Sequence, residues 1–178
     1  MIEIYVHDDK DDIDFRQSHN SGVSVSPERI TKLGIIAGHY RSICEVNNLA
    51  SERNYKNRDC ITLNVETFNN EEAQLLAKLN IFYEEHLHED EEIRYCVEGS
   101  GYFDVKDPTN NEWIRCKLYP GDLLIIPAGI YHRFTLTTDN FIKAVRLFKE
   151  EPKWEAHNKS TVTDQLPIRK QYLKTIKP

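Results

Sequence analysis

The chain has 178 residues, a length that suits one domain built around one core. Its net charge of −6, with no contiguous Lys/Arg stripe, argues against nucleic acid as a partner. No segment approaches the roughly 20 apolar residues that span a bilayer, and the 39% of hydrophobic residues fall in runs that exclude general disorder.

In chain order, Ile2 to Val6 alternates like a half-buried strand. The stretch from Met1 to Lys10 lacks the basic-then-apolar order of a secretory signal, so the cytoplasm is the expected compartment, with the nucleus open. Ser26-Pro27-Glu28 reads as an N-cap serine with proline at the first helical position, opening a short helix toward Leu33 and Gly34. From Ser42 to Arg53 the spacing is helical, with Ile43, Val46 and Leu49 on one face. Cys60 to Val65 returns to period two. Asn70-Glu71-Glu72 then caps a helix, with acidic residues in its first turn, whose Ala73, Leu76 and Lys78 to Ile81 region feeds the next segment.

From about Phe82 to Phe148, short runs rich in Ile, Val, Phe, Tyr and Thr are separated by turn residues, among them Glu98-Gly99-Ser100-Gly101, Pro120-Gly121-Asp122 and Pro127-Ala128-Gly129. Such spacing predicts an antiparallel sandwich or barrel. Beyond Pro152 the composition turns polar, and Ser160 to Pro178 reads as a short helix or an arm over the barrel. The chain reads as one domain, 1–178, with its barrel core at about 82–148. Cys44, Cys60, Cys96 and Cys116 form no C-x-x-C pair and are expected to be buried free thiols.

The segment that carries chemistry is His86-Leu87-His88-Glu89-Asp90-Glu91-Glu92-Ile93-Arg94. Residues two apart in an extended chain share a face, so His86 and His88 can present both imidazoles to one point. Glu92 regains that face as the strand resumes, and the Pro127–Tyr131 turn can deliver His132 onto a neighbouring inward-facing strand. Each feature alone is ordinary. Together, three imidazoles and a carboxylate suit Fe, Ni, Zn, Cu or Mn by ligand type. Arg94 shares parity with Glu92 and is expected in the same interior, and Arg146 can play a similar part. Cys96 shares that parity too and is expected only to fill space. His7, His19, His39 and His157 have no partner spacing and read as surface or structural.

The order His86-x-His88-x3-Glu92-x6-Gly99, then Gly121-x5-Pro127-x-Gly129-x2-His132, resembles the two motifs of the cupin superfamily. It departs from them in having Asn80 where a leading glycine is usual and Leu136 where an asparagine often closes the second motif. Phe82-Tyr83-Glu84-Glu85-His86-Leu87-His88, Glu92-Ile93-Arg94-Tyr95, Gly99 to Val105, Pro127 to Phe134 and Ala144 to Phe148 are similar to the acireductone dioxygenase family of the eukaryotic type. The likeness runs from about Arg53 to Trp154.

The resemblance implies a β-dominated cupin, or jelly-roll, barrel with N-terminal helices and a short C-terminal arm. Its ligand set falls on His86, His88, Glu92 and His132, holding one Fe(II), or Ni(II) as the alternative metal. The implied substrates are O2 and the acireductone 1,2-dihydroxy-3-keto-5-(methylthio)pentene of methionine salvage. The implied products are formate and 4-methylthio-2-oxobutanoate with iron, and carbon monoxide, formate and 3-methylthiopropionate with nickel. Phe103, Phe134 and Phe141, for which core packing is the ordinary role, are expected to line the substrate pocket, with Phe134, on the parity of His132, facing a slot for the methylthio tail. A monomer is expected. Rival readings are another cupin dioxygenase, a Mn(II) isomerase or oxalate-type cupin, a non-catalytic protein with structural Zn(II), and a regulatory module that keeps the fold without activity.

Overall fold

The computed structural model describes residues 2–151 and 155–176. Expectations that touch Met1, Pro152, Trp154, Lys177 and Pro178 lie outside the described residues. Twelve strands among these residues form two antiparallel sheets. The seven-stranded sheet runs in the order β12 (His157–Asn158), β5 (His86–Leu87), β10 (His132–Leu136), β7 (Gly101–Lys106), β8 (Trp113–Leu118), β1 (Glu3–His7), β2 (Asn20–Ser24). The five-stranded sheet runs β3 (Ile36–His39), β9 (Asp122–Ile126), β6 (Glu92–Gly99), β11 (Ile142–Phe148), β4 (Asn57–Leu63). Neighbours far apart in sequence, such as β10 beside β5 and β11 beside β4, give the crossed connections of a jelly-roll barrel.

Strand alternation decides what faces the barrel interior. Phe103, Val105, Ile114, Cys116 and Leu118 point inward from β7 and β8, meet Cys96, Leu124, Ile126 and Ala144 from the other sheet, and form the principal core. Ile93, Tyr95, Leu123, Ile125 and Leu147 point out of the second sheet and are covered by α2 (Ile43–Glu52) through Val46 and Ala50. The expected helix start is present, since Ser42 accepts the Glu45 amide at its N-cap. Its buried stripe runs through Val46 and Ala50, whereas Ile43 is exposed.

The short helix α1 (Pro27–Lys32) begins as its sequence predicts, with the Ser26 hydroxyl accepting the Arg29 amide and Pro27 at the first position. In α3 (Glu72–Tyr83) the expectation needs two corrections. The buried positions are Leu75 and Leu79, not Ala73 and Ile81, because the helix presents to β10 the face that those two leucines share. The helix also continues through Phe82 and Tyr83, two residues read from their β propensity as the start of the barrel. The polar tail does carry a helix, α4 (Pro167–Thr175), whose Tyr172 enters the principal core and donates a hydrogen bond from its hydroxyl to the Leu33 carbonyl at 3.1 Å.

Cys96 and Cys116 are buried, as expected, and burial pushes the Cys96 thiol up to about 12. Cys44 and Cys60 are exposed, on α2 and on the outer side of β4, so the expectation of four buried thiols fails for these two. Among the described residues, no helix is long and apolar enough to cross a membrane.

Candidate metal centre

Both sheets contribute to one cluster at a mouth of the barrel. His86 on β5 stands directly opposite His132 on β10, and His88 follows two residues later. Glu92 opens β6 in the other sheet, opposite Ile126. One donor atom from each of His86, His88, Glu92 and His132 lies within 4.8 Å of the others. Ring centroids of the three imidazoles are 4.6 to 5.3 Å apart, at steep mutual angles.

The outer nitrogen of each ring is already committed. His86 Nδ1 lies 2.7 Å from the Glu84 carbonyl, His88 Nδ1 2.7 Å from the Glu155 carbonyl and His132 Nδ1 3.1 Å from the Ile130 carbonyl. A carbonyl only accepts, so each Nδ1 carries a proton and donates it, and each ring turns its Nε2 inward. Glu92 Oε2 then lies 3.1 Å from both His88 Nε2 and His132 Nε2. Donors this close favour a positive centre among them. This donor set fits a divalent transition ion, and the carbonyls are the outer partners that fix ligand orientation.

The electrostatics agree. Burial, helped by the neighbouring His132, pushes His86 down to about 4, which keeps it neutral at physiological pH. Burial opposes protonation of His88 as well, but the Glu92 carboxylate outweighs it and the net direction is upward. Burial would raise Glu92, yet the Arg94 guanidinium and the two histidines hold it well below the usual carboxylate range. Protonation of His88 beside Glu92 and binding of a metal there would compete, since both use the same Nε2.

His86, His88 and Glu92 of the cluster line a cavity of about 320 Å³. Arg94 faces it as its parity predicts, with Nη2 3.1 Å from Glu92 Oε1. Arg146, opposite Arg94 on β11, lines the cavity too and is gripped by Asp59 on β4 through two hydrogen bonds of 2.7 and 2.6 Å. The inner end is apolar, with Phe103, Phe134 and Ile142 meeting Phe82 from α3. Phe141 does not reach this cavity. It sits over Gly99, whose left-handed backbone (φ 72°) leaves no room for a side chain against it. The three orienting carbonyls and Asp59 leave no spacing signal, since they are main-chain acceptors and a partner on another strand, and Phe82, although inside the first motif, reads as a strand start rather than as a cavity wall.

A second group, His7, Asp8 and His19, also brings donor atoms together. His19 spends both ring nitrogens, on Asp8 Oδ1 at 2.8 Å and on the Asp14 carbonyl at 3.0 Å, while His7 Nδ1 accepts the Asp9 amide. The two rings stack at 4.5 Å and 8°, so their in-plane lone pairs cannot converge on one ion. These histidines are structural and buried rather than on the surface.

Comparison with known proteins agrees with the barrel. The family model described as the ARD/ARD' family matches residues 3–156. The acireductone dioxygenase of Saccharomyces cerevisiae is 55% identical over 177 residues, covering 99% of this chain and 98% of its own length. That of Candida albicans (strain SC5314) is 53% identical over 178 residues, covering 99% of each. Among solved structures, an acireductone dioxygenase from Bacillus anthracis with a cadmium ion in its active centre matches the fold with a TM-score of 0.66 at 22% identity, over 88% of this chain and 97% of its own. With identity this high over nearly its whole length, the chain belongs to the acireductone dioxygenase (ARD/ARD') family of metal-dependent dioxygenases.

Proposed function

We propose that this chain, acting as one catalytic domain, is an acireductone dioxygenase that holds one Fe(II), or alternatively Ni(II), on His86, His88, Glu92 and His132. The observation that carries the reading is the three inward Nε2 atoms and the Glu92 oxygen, each ring fixed from behind by a carbonyl. The substrates are O2 and 1,2-dihydroxy-3-keto-5-(methylthio)pentene. The products are formate and 4-methylthio-2-oxobutanoate in the iron form, and carbon monoxide, formate and 3-methylthiopropionate in the nickel form. In both sets the two oxygen atoms of O2 are accounted for in the products.

The bound divalent ion supplies a Lewis-acid centre that favours the doubly deprotonated enediol over its neutral form. The protein's own groups do the rest. Arg94 and Arg146 place positive charge along the cavity wall, where the dianion and the charge that develops on oxygen are stabilised. Phe82, Phe103, Phe134 and Ile142 offer a water-poor slot sized for a thioether tail, whose burial orients the reacting carbons toward the ligand cluster.

The test is oxygen uptake with product identification after the metal is removed and Fe(II) or Ni(II) is restored without air. Formate and the 2-oxo acid from the iron form, absent with His86→Ala, are expected, with carbon monoxide from the nickel form. Folded, metal-loaded protein that consumes oxygen no faster than the spontaneous reaction would overturn the substrate assignment.

A further inference from the structure

On the outer side of the seven-stranded sheet, directly behind the ligand cluster, lies a buried ionic group. Asp104 on β7 is fully buried and accepts hydrogen bonds from Arg115 Nε at 2.6 Å, Arg115 Nη2 at 2.9 Å and Arg133 Nε at 2.8 Å. The three residues stand opposite one another across β10, β7 and β8. Arg115, also fully buried, donates from Nη1 to the carbonyls of Phe15 and Gln17, so the loop after β1 closes over the group. Its Nη2 further donates to the Tyr83 hydroxyl at 3.1 Å. The Arg133 guanidinium is sandwiched between the rings of Tyr83, at 4.1 Å, and Trp113, at 4.2 Å.

Two chain neighbours give this group its meaning. Arg133 immediately follows His132. Tyr83 immediately precedes Glu84, whose carbonyl orients His86. His86 and His132 are themselves paired across β5 and β10. The group therefore grips from outside the two backbone segments that present two of the imidazoles inside.

Burying two guanidiniums against one carboxylate carries a large desolvation cost, and apolar residues of the same size stabilise a covered sheet face at least as well. What the charged arrangement adds is directional: planar, multiply bonded geometry that fixes where neighbouring strands sit. We propose that the Asp104–Arg133–Arg115–Tyr83 group is a positioning device for the metal centre, setting the spacing of His132 and His86. The inference rests on the metal-centre reading above.

The test is Arg133→Met, which keeps an apolar stem between Tyr83 and Trp113 and leaves Asp104 its bonds to Arg115. Metal-free protein is titrated with Co(II), and the visible ligand-field bands and Kd are read at a temperature where circular dichroism shows every variant fully folded. Loss of outer-sphere support predicts a Kd 10- to 100-fold weaker, with altered bands. Lys117→Met, on the same outer face but outside the group, is expected to match the wild type. Arg133→Lys keeps the charge without the planar fork, and is read in the same way should Arg133→Met not fold. A folded Arg133 variant with wild-type Kd and bands overturns the proposal and leaves the metal centre standing. Failure of the wild-type protein to bind Co(II) overturns the metal-centre reading itself, and this proposal with it.

Discussion

Arg94 Nη2 holds one oxygen of Glu92 at 3.1 Å while the other oxygen of the same carboxylate faces His88 and His132 at the same distance. The guanidinium thus fixes the rotation of the carboxylate and keeps it ionised, and it stands where a dianionic substrate needs a counter-charge. Arg94→Met is expected to lower kcat/KM by about 100-fold, near 2.7 kcal/mol of transition-state stabilisation. Oxygen uptake by protein verified to carry one metal per chain checks this. A loss of less than threefold would remove Arg94 from the chemistry.

Phe134 faces Phe103 and Phe82 at centroid distances of 4.7 and 6.2 Å, at the apolar end of the cavity. Phe134→Ala is expected to raise KM for the methylthio substrate by about 10-fold, the scale of burying one small apolar group, and to change KM for a tail-less acireductone little. Steady-state kinetics on the two substrates decide it, since equal losses mean that the ring only packs the core.

Burial pushes His7 down to about 4, against about 6.5 in an unfolded chain. Between those values the unfolded chain takes up a proton that the folded protein refuses, so stability falls as pH drops through the window. Asp104, whose carboxylate its arginine partners hold below the ordinary range against the effect of burial, loses its contribution only at still lower pH. For metal-free protein, the stability gap between wild type and His7→Gln is therefore expected to shift by about 2 kcal/mol in the variant's favour from pH 7 to pH 4.5. Urea unfolding at the two pH values measures it, and a gap independent of pH would contradict the assignment.

Gly129 has φ of 82°, and a Cβ there would meet the Ile168 carbonyl oxygen at 2.6 Å. Its own carbonyl accepts the Arg169 side chain through Nη1 at 3.0 Å, so the helix α4 is fitted closely against the turn before His132. Gly129→Ala is expected to cost about 2–3 kcal/mol through left-handed strain and displacement of α4. That corresponds to a drop of about 5–10 °C in Tm for a chain of this size, read by calorimetry.

That His86 and His88 converge was legible because strand alternation is local: two histidines two residues apart in an extended chain share a face. The caps at Ser26 and Ser42 were legible for the same reason. The phase of α3 was not, because the stripe that is buried depends on which side β10 approaches, and Ile81 looks as apolar in sequence as Leu79. The strands β2 and β3 escaped reading because one is exposed along its whole length and the other is short and lies at a sheet edge. Asp104, Arg115 and Arg133 look like the wet face of a barrel strand. Only the loop that folds back over them makes that face an interior.

The Glu155 carbonyl that sets the tautomer of His88 is made long after the ligand itself, across a separation of 67 residues. The strand at His157–Asn158 pairs with the one at His86–Leu87 and brings that carbonyl to the ring. The orientation of His88 is thereby tied to a segment far along the chain, so the geometry of the cluster depends on that segment being in place.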